Sequence, residues 1–219
     1  MTTRVPPLRA DGAPTRVGIL VFPNVEVLDF CGPFEVFSVT RLDDARRFET
    51  RSPFEVLLIA EHAAPVSATG GMRVTPNHTL ADCPPLDLLV VPGGWGTRKE
   101  VDNRALVDWI AARGAAVETL TSVCTGSFLL AQAGLLGNKR ATTHWRSLER
   151  MRDTYPSVHV VADRHWVEDG NLVTSAGISA GIDMSLRLVA RYYGEAVARA
   201  TARHMEYPYP ESDARRIEI

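Results

Sequence analysis

Short, almost uninterrupted apolar runs alternate along this chain with segments of helical periodicity. Val17-Gly18-Ile19-Leu20-Val21-Phe22, Phe54 to Ala60, Asp87-Leu88-Leu89-Val90-Val91 and Val117 to Val123 are the main runs. They are short and β-branched, without strict polar alternation, which predicts strands buried on both faces. Between them, a helix is predicted from Gly32-Pro33 to about Thr40, with proline tolerated in its first turn. Others follow from about Asn103 to Arg113, from Phe128 and from Ser147 to Asp153, the last stopping before Tyr155-Pro156. Pro65 to Thr75, broken by Gly70-Gly71, reads as a hairpin or short edge strands. Val158 to Val161, Trp166-Val167 and Leu172 to Thr174 read as strands, with Asp169-Gly170 as a turn between the last two. Ala180 to Glu206 holds one or two amphipathic helices. Such alternation predicts an α/β fold, a doubly wound and mostly parallel sheet with helices on both faces. The expected organisation is a flexible leader (1–15), a single domain (16–210) and a C-terminal tail (211–219).

Composition removes several functional classes. The net charge is -2 and there is no Lys/Arg-rich block, so no nucleic-acid partner is expected. No apolar run approaches the length of a membrane span, and the start lacks the apolar stretch of a signal peptide. Three cysteines do not suggest a disulfide framework; a reducing, cytoplasmic setting fits better. The histidines have no metal-like spacing, and Gly93-Gly94-Trp95-Gly96 is not a dinucleotide fingerprint. Neither a metal nor an organic cofactor is expected.

Cys124 is the most informative residue. It sits where an apolar strand stops at Cys124-Thr125-Gly126-Ser127 and a helix begins, a nucleophile elbow that exposes a side chain at the carboxyl end of a sheet. The following helix is expected to favour thiolate over thiol. The competing reading is a buried structural cysteine. Ligand crevices in such sheets lie at the carboxyl ends of the strands, which gathers Gly93, Gly94, Cys124 and Thr125 in one place. The two glycines either present amide donors or only turn the chain. Asp29, among apolar neighbours, is either a helix cap or a desolvated acid. His144 either acts on a reacting group or caps the helix that follows. Cys31, two residues from Asp29, is placed at the same crevice.

These segments, Leu28-Asp29-Phe30-Cys31-Gly32-Pro33, Val91-Pro92-Gly93-Gly94, Thr121 to Ser127, Lys139 to Trp145 and Thr174 to Asp183, resemble the ThiJ/PfpI superfamily with its class I glutamine amidotransferase-like fold. The resemblance covers about Arg16 to Pro208 and is closest to the isonitrile hydratase (isocyanide hydratase) branch. It implies a cysteine-dependent hydratase acting on a small molecule, with Cys124 as nucleophile, Asp29 as its acid, and Gly94 and the amide after Cys124 as oxyanion-type donors. Ile178 would line the pocket. Thr125 stands where protease-like members place histidine, which argues against a peptidase. Cys31 replaces a threonine of the hydratases and leaves substrate choice open. The resemblance also implies a homodimer, with the helix carrying Phe34 and Phe37 as the expected patch. Two other activities stay open: a noncatalytic redox or ligand sensor, and a glyoxalase-like hydratase or deglycase of small oxoaldehydes. Similar domains form the sensor part of AraC-type regulators, but a chain ending near Ile219 is expected to leave no room for a helix-turn-helix domain.

Overall fold

A computed structural model describes residues 12–218; most of the expected leader lies outside the described residues. The chain runs β1 (Thr15–Leu20), α1 (Val27–Val39), β2 (Phe54–Ala60), β3 (Val66–Ser67), β4 (Arg73–Val74), β5 (His78–Thr79), β6 (Leu88–Val91), α2 (Thr97–Glu100) and α3 (Arg104–Ala116). It continues through β7 (Thr119–Val123), α4 (Gly126–Gln132), β8 (Arg140–Ala141), α5 (Leu148–Thr154), β9 (His159–Val160), β10 (Trp166–Asp169), β11 (Leu172–Ser175), α6 (Ala180–Tyr193) and α7 (Glu195–His204).

Seven strands form one sheet in the order β10-β11-β7-β6-β1-β2-β5. It is parallel except for the β10–β11 hairpin. Every residue of β6 and β7 is buried, as strands covered on both faces require. Helices α1, α6 and α7 pack together and α3 packs against α4. Gly32 lets α1 approach α6 closely, since a Cβ there would stand 2.9 Å from Ile182 Cγ1.

Several expectations need correction. Helix α1 opens at Val27, one turn before Gly32-Pro33, so Pro33 lies in the helix interior. Asp29 is therefore inside the first turn and caps nothing. Lacking an N–H, Pro33 leaves the Asp29 carbonyl without its usual helical donor. Phe37 cannot serve a dimer patch: it is fully buried, with its ring 4.9 Å from that of Phe54. The strand expected over 158–161 shrinks to β9, which pairs with β8 outside the main sheet. The Pro65–Thr75 hairpin is present as β3–β4, whereas the edge strand β5 and the short α2 gave no sequence signal.

The expected tail is ordered onto the domain. Ala214 bridges to Arg164, and the Arg215 guanidinium donates to the Ala162 carbonyl at 2.6 Å and to Thr142 Oγ1 at 3.2 Å. Arg216 reaches Asp183 Oδ2 at 3.1 Å. No helix among the described residues is long and apolar enough to cross a membrane.

Candidate active site

The carboxyl ends of β1, β6 and β7 converge on Cys124. Strand β7 stops at Val123, α4 starts at Gly126, and Cys124 between them has φ 56°. That left-handed backbone is unfavourable for a residue with a Cβ and persists only where the surroundings enforce it. Here they do so through hydrogen bonds. The Cys124 amide donates to the carbonyls of Ser175 and Ala176 at 3.2 and 3.0 Å. Its carbonyl accepts from Ser127 Oγ at 3.1 Å and Thr143 Oγ1 at 2.9 Å. Ile178, across the pocket, has φ 58°, a more costly geometry for a β-branched residue.

Asp29 is 0% exposed. Its Oδ2 accepts the Gly93 amide at 2.9 Å, while Oδ1 has no well-formed partner. Burial pushes its pKa up to about 8, and the nearby Glu26 carboxylate adds to the rise. The Gly93 amide, the Cys124 thiol and the Ile178 amide oppose it without cancelling it. Asp29 is thus mostly a neutral acid at pH 7.

The expected thiolate is not what this environment favours. Burial and then the Asp29 charge raise the Cys124 pKa, whereas the Thr125 amide and hydroxyl and the Ile178 amide pull it down. A helix of seven residues beginning two positions later does not offset that desolvation. The resting pair is a neutral thiol beside a neutral acid.

Gly93 is required where it lies, because a Cβ would stand 2.5 Å from the Thr125 amide nitrogen and 2.9 Å from Asp29 Oδ2. Gly94 has φ 125°, a backbone that side chains rarely adopt. Its amide donates to Thr125 Oγ1 at 3.0 Å, and Thr97 Oγ1 donates to the same oxygen at 3.1 Å. In the resting protein both glycine amides are engaged within the protein, and the amides of Thr125 and Ile178 act on the sulfur.

A cavity of about 240 Å³ opens over Cys124. Gly94, Thr125, His144 and Ile178 line it, as sequence reasoning proposed. Glu26, Trp95, Arg98, Arg146 and Ser147 complete it. Trp95 is 67% exposed at the mouth, and Trp145 is 39% exposed. Cys31 does not line the cavity. Two residues along a helix turn the side chain by about 200°, so Cys31 and Asp29 face different ways. His144 Nδ1 accepts the Arg146 amide at 3.3 Å, capping the short turn Trp145–Ser147. Burial and the charges of Arg146 and Arg215 lower its pKa, keeping the imidazole neutral.

The larger cleft, about 640 Å³, lies beyond β1 and β2 and is lined by residues such as Phe22, His62 and Lys99. None of its lining residues is a cysteine. Among the described residues no cluster of His, Cys, Asp and Glu is placed to hold a metal ion.

Comparison with known proteins adds lineage to this geometry. The DJ-1/PfpI family profile matches residues 15–191. An isonitrile hydratase from Pseudomonas putida is 38% identical over 202 residues, covering 91% of this chain and 82% of the hydratase. The HTH-type transcriptional regulator CdhR of Pseudomonas aeruginosa is 33% identical over 179 residues, covering 82% of this chain. This chain spans about half of that regulator, 51% of its length. Among solved structures, a ThiJ/PfpI family protein from Pseudomonas syringae superposes with a TM-score of 0.78 at 29% identity, covering 96% of this chain and 85% of that one. Drosophila melanogaster DJ-1beta gives a TM-score of 0.73 at 20% identity, covering 90% and 100%, a likeness of fold alone.

Proposed function

The chain belongs to the DJ-1/PfpI family, and we propose that it is a cysteine-dependent isonitrile hydratase, converting R–NC and water into the formamide R–NH–CHO. One observation carries the reading: a fully buried Asp29, held protonated near neutral pH, lies against the thiol of Cys124. General acid catalysis needs such a group with a pKa near the working pH. The 38% identity to an isonitrile hydratase supports the same assignment.

An isonitrile carbon accepts both a proton and a nucleophile. Asp29 delivers its proton to that carbon while Cys124 Sγ bonds to it, and the thiol proton passes to the Asp29 carboxylate. The product of this step is the thioformimidate R–N=CH–S–Cys124, and Asp29 is again an acid. Water then adds to the same carbon as a proton reaches nitrogen, and the C–S bond breaks as the new hydroxyl proton returns to sulfur. The formamide leaves with Cys124 restored. The Thr125 and Ile178 amides, which act on the sulfur in the resting protein, stabilise the charge that builds there. We also read the protein as a homodimer acting on a small molecule, with a single species of twice the chain mass expected in light scattering.

Turnover of para-nitrophenyl isonitrile compared with methylglyoxal, each with and without Cys124→Ser, tests the assignment. Cysteine-dependent formamide production supports it; cysteine-dependent consumption of methylglyoxal alone selects the oxoaldehyde activity instead. The similarity to CdhR favours a second reading, a domain that binds a ligand without turning it over. Saturable binding of the isonitrile without product would select that reading.

A further inference from the structure

The charge around the mouth of the active cavity is uneven. Arg98 and Arg146 both line the cavity from exposed positions. Each guanidinium lies over a tryptophan: Arg98 is 4.2 Å from the Trp95 ring centre, and Arg146 is 4.7 Å from that of Trp145. Among the described residues no carboxylate forms an ion pair with either. Stacking on an aromatic face fixes a guanidinium without using its N–H donors, which remain available to a planar acceptor. Arg150, over Phe128 and close enough to feel the charge of Arg98, adds to the positive side.

The side of the cavity next to Asp29 has the opposite character. Glu26 lines the cavity beside Asp29, and its charge already acts on that acid. An anionic group on the Asp29 side would meet Glu26, whereas the same group at the exposed mouth would meet two arginines. The cavity therefore sorts a ligand by polarity, with its uncharged end inward toward Cys124 and its anionic end outward.

Resting on the hydratase reading, we infer that the preferred substrates are isonitriles carrying a carboxylate, held by Arg98 and Arg146 while the isonitrile carbon reaches Cys124. The smallest example is isocyanoacetate, which takes up one water to become N-formylglycine. Exposed ion pairs of this kind are each worth up to about a fivefold factor. The pair of arginines predicts a preference of about five- to twentyfold for the acid over its uncharged methyl ester. It should fall toward parity near 1 M salt, where screening acts within about 3 Å.

The test measures kcat/KM for isocyanoacetate and for methyl isocyanoacetate at low and high salt, in the wild type and in Arg98→Gln/Arg146→Gln. Because the readout is the acid-to-ester ratio within one protein, a general loss of activity cancels. The expected result is a wild-type ratio above about five, set mainly in KM, that falls to near one in the double variant and in high salt. A wild-type ratio at or below one, or a ratio unchanged in the variant, overturns the inference. A second measurement separates it from the hydratase reading. The Cys124 peptide is quantified after alkylation with iodoacetate or iodoacetamide, and the ratio is normalised to free cysteine. Selective enhancement of iodoacetate that disappears in the double variant upholds the cationic mouth even if neither isonitrile turns over; equal ratios in both proteins reject it.

Discussion

Replacing Asp29 by Asn should abolish most activity and yet stabilise the protein, with a pH dependence fixed by the acid's environment. Burial raises this carboxyl from an ordinary 3.8 to about 8. Between those values the folded protein keeps a proton that the unfolded chain has lost, so stability falls as pH rises through this window. The loss begins near pH 4 and levels off above about pH 8. At about 1.4 kcal/mol per unit, the cost of keeping Asp29 neutral is roughly 4–5 kcal/mol at pH 7. Asparagine has no such cost: its carbonyl can still accept the Gly93 amide, and its NH₂ replaces the acid O–H. Even half of the full difference, about 2 kcal/mol, corresponds to about 4–8 °C in Tm for a domain of this size. Tm of both proteins measured from pH 4 to 9 should therefore diverge, with little difference at pH 4 and the full gap above pH 8. Activity of the variant should fall by about 10²–10⁴, the usual worth of a general acid. Wild-type kcat/KM should decline as pH rises through about 8, as Asp29 ionises. A Tm gap that does not grow with pH would mean that Asp29 is not a buried neutral acid, and the proton-transfer step would have to be withdrawn.

Two further outcomes are expected. Cys83→Ala should retain full activity but lose on the order of 1 kcal/mol of stability, because Cys83 is buried against the core, far from the cavity; loss of turnover with an unchanged Tm would move the nucleophile there. Arg215→Ala should lower kcat together with Tm, and it should accelerate alkylation of Cys124. Its guanidinium holds the Thr142 hydroxyl, while the Thr143 hydroxyl holds the Cys124 carbonyl; unchanged alkylation would make the C-terminal strap irrelevant to the elbow.

The layered, mostly parallel architecture of this fold, and the elbow that carries Cys124, were legible because they are written in short segments. Buried strands show as unbroken apolar runs, and the elbow shows as an apolar run ending at Cys124-Thr125-Gly126. The start of α1 was not, since Val25-Glu26-Val27-Leu28 lacks a clear period and Gly32-Pro33 is a strong but misleading start signal. That one-turn shift misplaced Cys31 and left Asp29 open between cap and acid. Glu26, Arg98 and Arg146 come from three segments far apart in the chain and meet only after the sheet forms, so no local spacing could link them. The protonation state of Cys124 was misjudged for a related reason. A sequence names the helix that follows, but not the depth of burial or the carboxyl across the pocket, and here those two effects outweigh the helix.

The most direct test of the account is formamide production from para-nitrophenyl isonitrile by the wild type, Cys124→Ala and Asp29→Asn, each confirmed as folded. Multiple turnovers by the wild type are predicted, with none above the uncatalysed rate in Cys124→Ala and about 10²–10⁴-fold less in Asp29→Asn. Wild-type rates in Cys124→Ala, or no formamide from the wild type, would contradict it.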